Sequence, residues 1–251
     1  MRILLTNDDG IFAPGLAALY RKLVELGDVT VVAPMDCWSG ANHSITFAEP
    51  LTCTKVTIAG LFTGFGVRGS PADCVKLAVM QLLDESFDLV VAGINCGANV
   101  GINVYYSGTV AAAMEAAFLR IPSAAISVAA ESETDFDQAA EYGLAALKRL
   151  LPLQIGDVMN INVPRLSLGR PRGVRVVPQA ISGFHEYYIP HGNAGDEMTY
   201  LLAGGTPRQE KEPADTMTLA EGYITVTPLK PNMTDQEKTL ALRAKLNGEL
   251  G

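Results

Sequence analysis

Two carboxylates stand side by side in "LLTNDDG", where Asp8 and Asp9 follow an apolar run directly. Adjacent carboxylates repel, and each disfavours the other's charge. A divalent cation removes that penalty, because hard ions such as Mg²⁺ or Mn²⁺ take oxygen from one or two carboxylates and leave other positions to water and phosphate. Asn-Asp-Asp-Gly is equally good turn chemistry with solvated aspartates. On this stretch alone both readings stand.

Two further loops bring oxygen and amide groups of the same kind. "PMDCWSGANHS" (34–44) carries Ser39, Asn42, His43 and Ser44, and "GINCGANVGINVYYSGT" (93–109) carries Asn95, Asn99, Asn103, Ser107 and Thr109. Long Gly/Asn loops at strand ends pack poorly and commonly carry function. The second loop runs through Ser107, Gly108 and Thr109 into a helical pattern. Its free N–H groups and the helix dipole make an anion site, and a simple N-cap uses the same residues. His43 shares its loop with Ser39, which suits it equally to meeting a phosphate or an attacking water and to a structural role. His185 and His191 lie in an irregular stretch, and no Cys/His spacing suggests zinc. "GFGVRG" (64–69) matches a dinucleotide fingerprint literally, yet the helical pattern begins only after it, at Ser70-Pro71, so its glycines read as turn residues.

The elements that must position these residues alternate. Strand-like runs at 2–6, 29–33, 87–93 and 123–129 are separated by helical patterns at 14–26, 70–83, 109–119 and 135–151, with Gly27 read as a helix cap. The strands are apolar without alternation, which implies a parallel sheet covered on both faces. The expected fold is α/β, a Rossmann-like, doubly wound and mostly parallel sheet whose ligands sit beyond the carboxyl ends of the strands. After about residue 155 come strands at 159–163, 173–178 and 222–229, extended hairpins or long loops over 180–221, and an amphipathic helix over 234–247. The chain is read as one domain, 1–251, with 1–155 carrying the site and 156–251 supplying strands, hairpins and a helical tail for self-association.

Composition narrows the classes. The chain has 251 residues and a net charge of −8, and no Lys/Arg cluster suited to a nucleic acid duplex. No stretch approaches the ~20 apolar residues that span a bilayer. Four scattered cysteines and no leader-like segment point to free thiols and a cytoplasmic protein.

"MRILLTNDDGIFAPGL", "VVAPMDCWSGANHSIT", "GSPADCVKLA", "DLVVAGINCGANVGINVYYSGTVAAAMEAA" and "LAEGYITVTPL" resemble, in that order, the SurE (survival protein E) family. The resemblance implies a metal-dependent phosphomonoesterase acting on nucleoside monophosphates: a 5′-nucleotidase with 3′-nucleotidase and exopolyphosphatase side activity. It implies one divalent ion per subunit, Mg²⁺ or Mn²⁺, held by Asp8, Asp9, Ser39 and Asn95, with Asp8 and Asp9 catalytic. Asp9 is then the residue to relay a proton. It implies phosphate binding at Ser107, Gly108 and Thr109, and a homodimer or homotetramer; Asn95 and His43 join the turn as candidate phosphate contacts. A side chain at 108 is expected to disturb the phosphate and leave the metal ligands alone. Two rivals remain: an aspartyl-phosphate phosphatase with Asp8 as nucleophile, and a non-catalytic nucleotide-binding or stress-interaction module.

Overall fold

The computed structural model describes residues 1–58, 60–84, 86–194, 196–208 and 212–246. Its centre is a nine-stranded sheet. In chain order the strands are β1 (Arg2–Thr6), β2 (Asp28–Pro34), β3 (Thr52–Ile58), β4 (Phe62–Arg68), β5 (Leu89–Cys96), β6 (Ser123–Val128), β7 (Val158–Val163), β8 (Val174–Val176) and β11 (Ile224–Leu229). They lie in the order β3-β4-β2-β1-β5-β6-β7-β11-β8. The run from β4 to β7 is parallel; β3 joins β4, and β11 joins β7, antiparallel.

The continuous apolar strands are explained by two cores. Ile3 and Leu5 of β1 pack in one cluster with Leu16 and Leu19 of α1 (Pro14–Leu23) and Leu144 of α4 (Phe136–Lys148). Leu4, between them, packs in the other with Val75 of α2 (Pro71–Leu77) and Ala112 of α3 (Gly108–Phe118). Successive side chains of a strand point to opposite faces, so a sheet covered on both sides needs apolar residues at every position.

The topology also decides where a site forms. β1 pairs with β2 on one side and with β5 on the other, Thr6 lying opposite Ala92. The chain thus winds outward in both directions from β1, and the crevice of such a sheet lies beyond the carboxyl ends of the strands flanking that point. Asp8 and Asp9 leave β1 there, and Asn95 ends β5 there.

Several expected elements differ. The 14–26 pattern ends as a helix at Leu23, capped at Val24. Gly27 is required for another reason: a Cβ there would meet the Met1 carbonyl oxygen at 2.0 Å. α2 closes early into a π-helical turn, Ala78–Leu82. The Gly64 and Gly66 pair is not in a turn but within β4, where a Cβ on Gly64 would lie 2.6 Å from the Val31 carbonyl oxygen. These glycines serve close strand packing, so the absence of a dinucleotide loop stands on different grounds. The irregular stretch holds a hairpin, β9 (Phe184–Ala194) with β10 (Glu197–Pro207), and a short helix α5 (Asp215–Ala220). The tail forms α6 (Gln236–Leu246), but Leu240, Leu242 and Leu246 are all exposed and do not make one apolar stripe. Residue 247 of the expected tail helix, and 209–211 and 248–251 of the expected self-association segments, lie outside the described residues. Among the described residues no helix is long and apolar enough to cross a membrane.

Gly64→Val tests the close approach of β4 to β2. It should cost about 1–3 kcal/mol of stability through overpacking. A urea unfolding midpoint unchanged from wild type would show that the strand accommodates a side chain.

Candidate functional site

The loop after β1 is braced by its own side chain. Asn7 Nδ2 donates to the Gly10 carbonyl at 2.9 Å, and the Gly10 N–H donates back to Asn7 Oδ1 at 3.2 Å. Gly10 has a φ of +101°, a conformation open to glycine. The two aspartates between them have different surroundings. Asp8 is 3% exposed, and both its oxygens accept from one residue at the start of α3. Thr109 Oγ1 donates to Asp8 Oδ1 at 2.5 Å and the Thr109 N–H donates to Oδ2 at 3.1 Å. Asp9 is half-buried, and its Oδ2 accepts from the Cys96 N–H at 3.4 Å.

Burial raises the Asp8 carboxyl from an ordinary 3.8 to about 6; the Thr109 bonds oppose the rise and the Asp9 charge adds to it. Burial also raises Asp9, against the lowering effect of the Cys96 N–H. Among the described residues no Lys, Arg or His forms an ion pair with either aspartate.

Asp8, Ser39, Asn95, Asn99, Asn103 and Ser107 share the wall of a cleft of about 200 Å³. Asp9 lines an adjoining hollow, with Cys96 common to both. Asn95 Nδ2 donates to the Gly97 carbonyl at 2.7 Å, which leaves Oδ1 as its ligand oxygen. Ser39 is exposed, with its Oγ 3.1 Å from Cys37 Sγ. Asp8, Ser39 and Asn95, all oxygen-bearing, therefore line one cleft, and Asp9 lines the hollow beside it. Oxygen-bearing side chains around a carboxylate pair that has no ion-pair partner among the described residues fit a hard divalent cation. Among the described residues no group of three or more His, Cys, Asp or Glu could hold a metal, so a cation here must draw on serine and amide oxygen.

The Ser107-Gly108-Thr109 turn does double duty. Ser107 caps α3, its Oγ accepting from the Val110 N–H at 3.1 Å. Thr109, expected against phosphate, spends both donors on Asp8. The Ser107 hydroxyl and the Gly108 N–H are the donors this turn keeps for an anion, at a helix N-terminus. A Cβ on Gly108 would lie 2.9 Å from Asp8 Cβ and 3.2 Å from Asp8 Oδ2. Residue 108, expected to be independent of the metal ligands, thus stands against the side chain of one of the residues expected in that set.

His43 does not line the carboxylate cleft. Its Nε2 lies 2.9 Å from Glu115 Oε2, whose other oxygen accepts from Lys76 Nζ at 2.5 Å. Burial raises the Glu115 carboxyl, but the His43 and Lys76 bonds outweigh it and hold it below the ordinary range.

The loops rest on supports that the sequence reading did not single out. Asp73 caps its own helix and accepts from the N–H and hydroxyl of Thr46 at 2.9 and 2.8 Å, pinning the loop that carries Ser39. Backbone bonds from Trp38 N–H to the Asp8 carbonyl and from Asn42 N–H to the Tyr106 carbonyl pin its other half. Under the second loop, buried Asn160 and Asn162 hold Asn99: its carbonyl accepts from both side chains, and its N–H donates to Asn162 Oδ1 at 2.8 Å. The signals were a lone glutamate in the alanine-rich "AAAMEAA" and alternating asparagines in "MNINV".

The family model described as survival protein SurE matches residues 3–186. The chain is 44% identical to 5′-nucleotidase SurE of Syntrophobacter fumaroxidans (strain DSM 10017 / MPOB), over 94% of this chain and 96% of that protein. It is 43% identical to 5′-nucleotidase SurE of Rhodopirellula baltica, over 93% and 94%. Among solved structures it resembles the SurE protein from Aquifex aeolicus, with a TM-score of 0.85 and 34% identity, over 98% of this chain and 99% of that one.

Two measurements test this geometry in the metal-free protein. Because folding raises the Asp8 carboxyl, its ionisation opposes folding. The cost is absent below an unfolded value near 3.8, grows as pH rises to about 6, and is complete above that. Asp8→Asn should therefore stabilise the EDTA-treated protein above pH 6, on the order of 2–3 kcal/mol, and the gain should vanish near pH 4. A gain in melting temperature independent of pH would contradict the assignment. Gly108→Ala should weaken Mn²⁺ binding, read by electron paramagnetic resonance, through the contact with Asp8. Unchanged Mn²⁺ affinity would show that the turn yields without moving the carboxylate.

Proposed function

Because the chain belongs to the survival protein SurE family, we propose that its cleft hydrolyses phosphoric monoesters of the 5′-nucleotidase type, on nucleoside monophosphates, with one divalent ion per subunit. The observation that carries the reading is the pair Asp8 and Asp9, gathered with no ion-pair partner among the described residues where the strand order reverses and beside the N-terminus of α3. Asp8, Asp9, Ser39 and Asn95 would hold the ion, Mg²⁺ or Mn²⁺. When bound, it supplies a Lewis acid for the phosphoryl oxygens and a lowered pKa for water.

The chain's own groups do the rest. Thr109 fixes both oxygens of Asp8, so that carboxylate keeps one orientation. The Ser107 hydroxyl and Gly108 N–H donate to phosphate oxygens, where charge spreads over the equatorial positions during transfer. Asp9, the more exposed carboxylate, takes the proton of the attacking water. Asp8 as a nucleophile is disfavoured, since it is 3% exposed and both its oxygens accept from Thr109. Action on 3′-nucleotides and on polyphosphate belongs to the same reading, since the site grips the phosphate.

Self-association is part of the proposal. Tyr187, Tyr188, Leu201 and Leu202 of the β9-β10 hairpin are exposed, as are the leucines of α6, and a homodimer or homotetramer would cover them.

EDTA should abolish hydrolysis of nucleoside monophosphates, and Mg²⁺ or Mn²⁺ should restore it. With metal saturating, Asp9→Asn should lower kcat at least about 100-fold, the size of a lost general base. Full turnover after exhaustive chelation would remove the metal from the reading.

A further inference from the structure

The loop that carries Asn103 and Ser107 is gripped at one residue by the later part of the chain. Gly101 opens a 3₁₀ helix, Gly101–Tyr105, that runs on to Ser107. The start of a helix leaves N–H groups without partners, and the residue before this one, Val100, has no side chain to accept from them. Asp215 accepts instead, from 114 positions away: the Gly101 N–H donates to its Oδ2 at 3.0 Å. Its Oδ1 accepts from the Ala180 N–H at 2.9 Å. Gln179 Nε2 donates to the Gly101 carbonyl at 2.8 Å. The remaining side of Gly101 is closed as well, since a Cβ there would lie 3.0 Å from Thr216 Cγ2 and 3.6 Å from Phe184 Cε2. Asp215 is fully buried. A carboxylate is costly to bury unless hydrogen bonds meet it, and bonds to a charged acceptor are strong. These two join the site loop to the stretch that leads into β9. Gln179 also lines, with Ser107, a cavity of about 130 Å³ beside the carboxylate cleft, so the grip lies close to the phosphate-binding turn.

We infer that Asp215 is a positioning residue for the phosphate-binding turn: by holding Gly101 it fixes where the 3₁₀ helix ends, and so where Asn103 and the Ser107 hydroxyl stand in the cleft. The inference rests on the reading of that cleft as the phosphate site. A group that binds a transferring phosphoryl must be held in place before the substrate arrives, and a loop cannot do this for itself. The residues expected to hold the ion are anchored elsewhere. Asp8 is fixed by Thr109, and the loop of Ser39 by Asp73. Asn95 precedes Gly97, whose N–H donates to the Val128 carbonyl. Loosening Gly101 therefore weakens the hold on phosphate and spares the metal.

Asp215→Asn keeps the shape of the side chain and turns one acceptor into a donor that faces an N–H group. Gln179→Met keeps the length of a half-buried side chain and removes its bond to the Gly101 carbonyl, which provides a second variant should the first not fold. Inorganic phosphate binding to the Mn²⁺-loaded protein is measured by calorimetry, and Mn²⁺ binding by electron paramagnetic resonance, both well below the melting transition. Amide exchange is followed by mass spectrometry. Asp215→Asn should raise the Kd of phosphate about tenfold, the size of a lost hydrogen bond to a charged group, and leave Mn²⁺ affinity unchanged. Exchange should quicken over 101–107 and stay as it was in β1 and β5. Gln179→Met should act in the same direction more mildly. Variants that melt earlier but bind phosphate as the wild type does would reduce Asp215 to a structural residue and overturn the inference. So would equal losses of phosphate and Mn²⁺ affinity, or unaltered exchange over 101–107. Wild-type protein that neither binds phosphate nor hydrolyses nucleoside monophosphates would overturn the reading of the cleft, and this role with it.

Discussion

The site depends on one buried carboxylate. Removing a charge from water is expensive unless hydrogen bonds or an opposite charge compensate it. Among the described residues Asp8 has no ion-pair partner, and Thr109 donates a hydrogen bond to each of its oxygens. That pair ties the end of β1 to the start of α3 across 101 positions of chain. It sets the distance at which the helix N-terminus faces the carboxylates, and it explains why residue 108 must lack a Cβ. The compensation is incomplete, and Asp8 remains raised to about 6. A site in this condition favours binding a cation, which supplies the missing charge.

The remaining groups come from loops, and loops have no ladder of their own to satisfy their backbone. Their order is borrowed from side chains anchored in the regular elements. Asp73 on α2 and Glu115 on α3 hold the loop that delivers Ser39 and His43. Asn160 and Asn162 on β7 hold the loop that runs from Asn95 at the end of β5 to Ser107. Each support is buried, where a polar group gains most from a partner, and each spends at least one hydrogen bond on the loop. Rigid first contacts of this kind limit how far ligand oxygens wander, which is what electrostatic stabilisation of a transferring phosphoryl group requires.

The two parts of the chain divide the work unevenly. Every group of the carboxylate cleft precedes residue 110, on β1, β5, α3 and the loops between them. The later part contributes Gln179, Leu229, Lys230 and Met233 to the neighbouring cavity and projects a two-stranded hairpin with exposed aromatic side chains. The candidate site thus sits on the parallel sheet, and the exposed apolar side chains of the hairpin and of α6 sit on the elements added to it.

Much of the architecture was legible in residue pattern because it follows from short-range rules. Uninterrupted apolar strands required a sheet covered on both faces. Ser70-Pro71 marked a helix start, which Asp73 completes as a capping box. The paired aspartates had to leave the sheet at a strand end. The five ordered motifs carried the family, which the comparisons bear out. The β3-β4 hairpin was missed because Gly64 and Gly66 read locally as turn residues; their purpose is the approach of Val31 and Met35 from elsewhere in the chain. Thr109 was read as a phosphate group because its partner, Asp8, is distant in sequence. The same holds for His43 with Glu115 and for Asn99 with the asparagines of β7. The sequence by itself determined the alternating strands and helices of the parallel core and which residue types could do the chemistry, since propensity, capping and periodicity act over a few residues. Only the tertiary structure decided which donors face the ligand and which are spent holding a neighbour, because a hydrogen bond is assigned by proximity, and proximity here is made by the sheet.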